Sequence, residues 1–267
     1  MKEAKNIDFY HNVIINYKLN LNYNYDAIEN FPSKDKWDLR PERVSQELSF
    51  IGLKLSTFTL KLLIIIASYS RGDDKNELKK QFSEAVLVME KVWDKKITKV
   101  YHGVKQIELD QYKFEPYLHM LQMMSLGILL DVPDSEFNKL IVLIDQDNIK
   151  DFLYEFLISS RIKDRKPILE ESYKRYLLIP KLYGKLVAIA NNNDQKTAVM
   201  DLKKYLEKDW IKVYKNYYID FNLKDIEKYD VNSGFTGIWA FEVAAIVKIK
   251  QLEDSSFKDN VFYPDRF

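Results

Sequence analysis

The chain contains no cysteine, and only 7 glycines and 7 prolines in 267 residues. Without thiols there is no disulfide framework and no thiolate metal site, which fits a reducing compartment. Average usage of about 7% glycine would give about 19 in a chain this long. So few turn formers argue against a sandwich, a barrel or a doubly wound sheet, each of which needs many tight connections. There is no excess of either charge, with 41 Lys+Arg against 40 Asp+Glu, and this speaks against a general nucleic-acid binder. Long apolar runs are missing too. The most apolar stretch, Leu60 to Ala67, contains Lys61, and even carried back to Ile51 it is short of the roughly 20 residues that a bilayer requires. A buried core helix is the expectation there. Acidic residues interrupt the opening Met1-Lys2-Glu3-Ala4-Lys5-Asn6-Ile7-Asp8 and no long apolar region follows, so it does not read as a signal peptide. A cytoplasmic protein, with no membrane partner, is expected.

What is present is helical spacing. Phe9, Val13, Ile14 and Tyr17 share one face before an Asn- and Tyr-rich stretch reaches Phe31-Pro32. Pro41 suits the first turn of a long helix that runs to about Tyr69, with Leu48, Ile51, Leu55, Phe58, Leu62 and Ile65 on its buried face. Gly72 ends it, and Asp73-Asp74 favour the next N-terminus. Leu78, Phe82, Ala85, Val86, Met89 and Trp93 form the following stripe. A third apolar helix spans about Phe114 to Leu130. Asp134 or Ser135 is placed to cap the next one, Asp147 to Arg161 reads as a further helix, and Pro167 closes that connection. In the second half, Leu177 to Asn191, Val199 to Trp210 and Trp239 to Ile249 read as helices. Runs alternating with period two are few, so strands should be rare.

Two echoes suggest a duplication. Leu130 to Phe137 resembles Lys250 to Phe257 at an offset of 120, and Leu78-Lys79-Lys80 roughly matches Leu202-Lys203-Lys204. The fold class that follows is all-α: a multi-helix bundle of two pseudo-repeated helical halves packed together. The expected division is an N-terminal region of residues 1–165 and a C-terminal region of residues 166–267, together one compact unit.

Chemistry-bearing patterns are scarce. His11, His102 and His119 share no metal-ligand spacing, and His119 sits in an apolar run where a core histidine is expected. Gly72, Gly103, Gly127 and Gly184 are isolated, so no phosphate-cradling loop forms. Asp73-Asp74 read as helix-start charge rather than as an acid–base pair. The stretch Trp210 to Tyr218 interleaves aromatics with lysines, but an amphipathic helix accounts for it without base stacking. The sequence thus points to no catalytic residue, no metal and no cofactor.

Charge along the chain is more informative than its total. From Phe114 to Ser160 there are eight acids (Glu115, Asp131, Asp134, Glu136, Asp145, Asp147, Asp151 and Glu155) against Lys139 and Lys150. From Arg161 to Val187 there are eight bases against three acids. One reading is that the blocks face each other or are solvated. The other is that the acids Asp131, Asp134, Glu136, Asp145, Asp147, Asp151 and Glu155 steer a basic protein partner. A separate oddity is Glu242, alone in the apolar stretch Ile238 to Val247. A carboxylate there must be paired or hydrogen-bonded, or its pKa rises. A structural role is the expectation, and catalysis the rival.

The stretch Gly237-Ile238-Trp239-Ala240-Phe241-Glu242-Val243-Ala244-Ala245, then Leu252-Glu253-Asp254-Ser255-Ser256-Phe257-Lys258-Asp259, then Phe262-Tyr263-Pro264-Asp265, resembles the signature of PoNi-type immunity proteins. In that family a Trp-x-x-Glu-Ala-Ala-Ala-like helix leads to an Asp-Asp-Ser-Ser-like turn and a Tyr-Tyr-Pro-x-Asp-like tail. Tyr69-Ser70-Arg71-Gly72-Asp73 is similar to the family's turn between two N-terminal helices. Val243, Glu253 and Phe262 depart from the pattern. The resemblance covers about residues 35–267. It implies an all-helical, non-enzymatic protein that binds and neutralises a cognate antibacterial DNase toxin by occluding its active or DNA-binding surface. Trp239, Glu242, Asp254, Ser255, Tyr263, Pro264 and Asp265 match the motif, and such shared residues are expected to define the fold rather than touch the toxin. The resemblance implies no direct nucleic-acid partner and leaves monomer or homodimer open. The rival function is a helical-repeat scaffold for some other protein.

Overall fold

A gap of three residues, Gly72 to Asp74, separates two packed helices of the N-terminal unit, and its chemistry is fully local. In the computed structural model, which describes residues 5–33, 46–165, 179–212 and 228–267, α2 (Gln46–Arg71) ends where Gly72 takes φ 98°. A side chain at that φ would be strained. The Asp73 N–H then bonds back to Ser68 O at 3.0 Å, closing the six-residue helix-end ring. Arg71 holds both Asp73 oxygens, at 2.7 and 2.6 Å. Asp74 caps α3 (Lys75–Val92) through the N–H groups of Asn76 and Glu77.

The chain divides into two compact units, residues 5–99 with 227–237, and residues 100–226 with 238–267. In the first, α1 (Ile7–Glu29) buries Val13, Ile14 and Tyr17, as its spacing foretold, together with Tyr10 and Leu21, whereas Phe9 is half-buried. It packs along α2, whose Ile64 and Ala67 share a core cluster with Val13, Ile14 and Tyr17. The opposite side of α2 meets α3, where Leu78, Phe82, Ala85, Val86 and Met89 are buried. The burial of α2 begins at Thr57; Leu48 is exposed, and Ile51 and Leu55 are half-buried. At 26 residues, α2 is longer than its apolar core, and among the described residues it is the one helix long and apolar enough to cross a membrane by length and composition. The sequence estimate that this stretch is too short is thereby corrected. In the structure its apolar half is packed inside the unit, where Phe58 meets Trp93 edge to face at 5.8 Å. A short α4 (Lys95–Thr98) follows, capped by Asp94. The segment from residue 228 returns to this unit, with Ser70 Oγ donating to Thr236 O at 2.6 Å.

From Val100 the second unit carries nearly all of a hairpin, β1 (Lys99–His102) and β2 (Ile107–Tyr112), a small sheet among described residues that are otherwise mostly helical. Its helices are α5 (Phe114–Leu129), α6 (Asp134–Gln146), α7 (Phe152–Ser159), α8 (Ile179–Asn191), α9 (Gln195–Lys208) and α10 (Phe241–Lys250). Helices α5 and α10 are apolar nearly all round because each lies in the middle of the unit, packed on the other. Helix α10 also meets α7 and α8. The all-α reading is thus realised, with the hairpin added.

Two local readings are corrected. Neither Asp134 nor Ser135 caps α6; Pro133 is its N-cap and makes no side-chain cap bond. The helix expected over 147–161 is α7 and starts only at Phe152, because residues 147–151 form the turn after α6, where Asn148 takes φ 52°. Asp131 (φ 53°) and Gln251 (φ 52°) do the same after α5 and α10. In all three, the residue after the left-handed one bonds five back: Val132 to Gly127 O, Ile149 to Ile144 O, Leu252 to Val247 O. Each of those residues is buried, completing the helix-end motif. The echo between residues 130–137 and 250–257 thus begins with the same helix-end turn. The helix start at Pro41, the connection at Pro167, and residues 213–218 of the aromatic–lysine stretch lie outside the described residues.

Candidate functional site

The acids between 114 and 160 are sorted by the folding of α5, α6 and α7 into distinct environments. Asp147 and Asp151 are buried. Asp147, just past α6, accepts the Tyr112 hydroxyl at 2.8 Å. Asp151 caps α7, accepting the N–H groups of Leu153 and Tyr154 at 2.9 and 3.0 Å, with the Tyr117 hydroxyl at 3.4 Å. The Tyr154 hydroxyl returns to Tyr117 O at 2.7 Å, and the two rings stack at 4.9 Å. Spacing alone put these two aspartates with the others; what it could not show is that each sits at a helix boundary pointing inward.

Asp145 and Glu155 come together on one cation. Arg165 donates NH1 and NH2 to Asp145 at 3.0 and 2.8 Å, and Nε and NH2 to Glu155 at 2.7 Å each. Both carboxylates are gripped in the fork geometry that only a guanidinium offers. The bonds to Glu155, then those to Asp145, raise the Arg165 pKa and keep it charged. Asp134 pairs with Arg161 at 2.8 Å, and Arg161 also donates to Val132 O at 3.2 Å. Asp131 pairs with Lys248 at 2.7 Å. The acidic and basic blocks therefore meet in part: Arg161 and Arg165 from the second neutralise Asp134, Asp145 and Glu155 from the first. The bases at 166, 174 and 175 lie outside the described residues. Asp131, Asp134 and Asp145 keep more than half of their side-chain surface exposed, and Glu136 is half-buried. Glu115 approaches His119 at 4.0 Å. Burial pushes the His119 pKa down to about 4, so at neutral pH this contact is not an ion pair.

The C-terminal motif forms a closed construction around the start of α10. Trp239, Glu242, Tyr263 and Pro264 are buried, whereas Asp265 is exposed. Ala240 N–H donates to Phe262 O at 2.8 Å, tying the tail to the helix entrance. Glu242 Oε1 accepts the Trp210 indole N–H at 2.6 Å, and Trp210 lies 5.0 Å from the Phe262 ring. Burial raises the Glu242 pKa to about 7, against the opposing pull of its own backbone N–H and of Trp210. Asp254 accepts the Tyr263 hydroxyl at 2.9 Å, its carbonyl accepts Phe257 and Lys258 N–H, and Tyr263 meets Phe257 edge to face at 5.2 Å. Ser255 N–H donates to Glu253 at 3.1 Å.

Arg165 and Tyr112 were not singled out by the sequence. Their signal is long-range, since Arg165 answers acids 20 and 10 residues earlier. Among the described residues, no group of three or more His, Asp or Glu could hold a metal ion.

Comparison with known families places these elements. The profile of PoNe immunity proteins (PoNi), N-terminal, matches residues 9–142, and that of PoNe immunity proteins (PoNi), C-terminal, matches residues 149–267. No curated protein and no solved structure matches the chain. The C-terminal match takes in the whole construction that joins Trp210, Glu242, Asp254 and Tyr263, and the N-terminal match takes in the Gly72 turn. With both halves matched over nearly the full length, the chain belongs to the PoNe immunity protein (PoNi) family.

Proposed function

We propose that this chain acts in the cytoplasm as a non-enzymatic immunity protein, binding a cognate PoNe-type DNase toxin and occluding its active or DNA-binding surface. The observation that carries the reading is the family match across both halves of the chain. Enzyme DNA-binding surfaces are rich in Lys and Arg, so an inhibitor gains association rate from exposed carboxylates. Asp131, Asp134 and Glu136 are the acids best disposed for this, clustered where α5 passes into α6. Their partners Lys248 and Arg161 are held by exposed ion pairs worth about 0–1 kcal/mol each, which a toxin cation can displace. Asp145 and Glu155 are more firmly engaged through Arg165, and Asp147 and Asp151 face inward. The protein needs no nucleic-acid contact of its own.

The test is co-expression with the toxin of the same locus. Survival of the cells, with a complex that persists through gel filtration, is the expected result. Killing of cells that express the folded protein, with no complex, would overturn the reading.

A further inference from the structure

The side of α1 that stays exposed carries an apolar stripe. At about 3.6 residues per turn, Asp8, Asn12, Ile15, Leu19, Tyr23 and Asp26 fall within about 40° of one line along the helix. That line runs opposite Tyr10, Val13, Tyr17 and Leu21, the side packed into the unit. The three apolar residues in its middle, Ile15, Leu19 and Tyr23, are 45%, 51% and 69% exposed. An exposed Ile or Leu standing alone is ordinary. Three on successive turns, with polar residues at both ends, mark a surface that another protein covers.

The polar residues indicate what covers it. A parallel copy of α1 would set Asp8 against Asp8 and Asp26 against Asp26, and like charges so placed repel. An antiparallel copy centred on Leu19 meets no such conflict. Counting outward from the centre, Leu19 faces Leu19, Ile15 faces Tyr23, Asn12 faces Asp26, and Asp8 faces Asn30. The Asn12 amide can donate to the Asp26 carboxylate. On one flank the exposed His11 and Glu29 come side by side. Arg71 NH1 donates to His11 Nδ1 at 3.2 Å, so the neutral ring carries its proton on Nε2, free to donate to Glu29. Lys18 is exposed and points off the same flank into solvent. The stripe therefore complements itself, which is what a two-fold contact demands of a single surface. Three apolar side chains from each copy make a small interface, so the association is weak.

We propose that the outer face of α1 is the contact of a symmetric dimer, in which α1 of a second copy lies antiparallel across it with both Leu19 side chains at the two-fold axis. The Tyr23 ring covers Ile15 of the second copy and keeps its hydroxyl in water at the rim. None of these residues is among the acids assigned to the toxin.

Sedimentation equilibrium of the full chain, from about 10 μM to about 1 mM, covers the range of a weak dimer. The mass should rise from one chain towards two. Leu19→Lys changes an exposed residue, so it should keep the wild-type melting temperature and stay at the mass of one chain throughout. One-chain mass for the wild type at every concentration, or a folded Leu19→Lys that associates like the wild type, would overturn the dimer. The register has its own test, because the chain has no cysteine and each variant carries a single thiol. Under mild oxidation Leu19→Cys should link to itself, since its two thiols meet at the axis. Asn12→Cys should not, its symmetry mate lying about 20 Å away along the helix. Mixed with Asp26→Cys, which is also inert alone, it should link. Asn12→Cys that couples to itself as fast as Leu19→Cys sinks the antiparallel pairing. Neither measurement involves the toxin, so the immunity reading stands or falls separately.

Discussion

The indole N–H of Trp210 donates to Glu242 Oε1 at 2.6 Å, and that single bond is the polar partner that a side chain supplies to a carboxyl group buried in the first turn of α10. The indole and the Glu242 backbone N–H, both neutral donors, do not offset the loss of hydration that an ionised carboxylate suffers on burial. The folded protein therefore keeps Glu242 protonated up to about pH 7, whereas the unfolded chain releases that proton near its ordinary value of 4.5. Between these limits the folded state holds more protons, so stability falls as pH rises. The contribution is fully present below about pH 4.5 and is lost as pH passes 7. At about 1.4 kcal/mol per unit, the loss amounts to roughly 3 kcal/mol. Glu242→Gln keeps an acceptor for Trp210 and has no charge to bury. Urea midpoints of the two proteins should be close at pH 5, with the variant more stable at pH 8. A difference between the two proteins that does not change with pH would show that Glu242 does not titrate on unfolding.

Arg165 joins α6 to α7 through both carboxylates it grips. Arg165→Ala leaves Asp145 and Glu155 facing each other without a counter-ion. The expected loss is about 1.5–3 kcal/mol, the range for hydrogen bonds to charged groups. Arg165→Lys should recover little, since a point charge cannot bond two carboxylates bidentately. A double-mutant cycle with Glu155→Gln, read by thermal unfolding, measures the coupling. Additive effects would mean the clamp carries no pair energy.

The two groups of aspartates should respond oppositely to charge reversal. Asp134→Lys changes an exposed residue and should move the melting temperature by no more than about 0.5 kcal/mol equivalent. It should slow association with the toxin and change its salt dependence. Asp151→Lys removes the α7 cap, worth about 0.5–2 kcal/mol, and buries an unpaired cation, so the protein should unfold or lose most of its stability. Association rates by stopped flow, beside melting curves, separate the two. An Asp134→Lys protein that associates at the wild-type rate at low salt would remove this surface from the interface.

How far the sequence carried these conclusions depends on the range of the interaction. Helical faces that repeat at three and four were legible: Val13, Ile14 and Tyr17, and Leu78 to Met89, are buried as their spacing implied. So were the glycine and aspartate turn at 72–74 and the core placement of His119, because their chemistry is local. Left-handed Asn148 was not legible; asparagine tolerates that conformation, but nothing nearby marked the turn that delays the start of α7 to Phe152. The hairpin at 99–112 was missed because it is short. Asp145 and Asp147 lie two residues apart and have opposite fates, one at the surface on Arg165 and one inward on Tyr112. Charge counting along the chain cannot separate them, since the difference is which way the last turn of α6 faces.

Lys250 supplies the last test. Its ammonium donates to Ala190 O at 2.9 Å and to Asn192 O at 2.8 Å, where α8 ends and its carbonyls have no helical partners. Two residues earlier, Lys248 donates to Leu129 O at 3.0 Å at the end of α5. One helix thus places cations on the negative ends of two others, where the charge also opposes the peptide dipoles. Lys250→Met retains the stem and loses both bonds. A loss of about 1–2 kcal/mol is expected, with faster hydrogen exchange at the end of α8 and little change in α1 to α3, which belong to the other compact unit. Lys250→Arg, still able to donate, should restore much of the protection. Unchanged exchange at residues 189–194 in the methionine variant would mean that water serves these carbonyls equally well, and that the pairing of α10 with α8 rests on apolar contact alone.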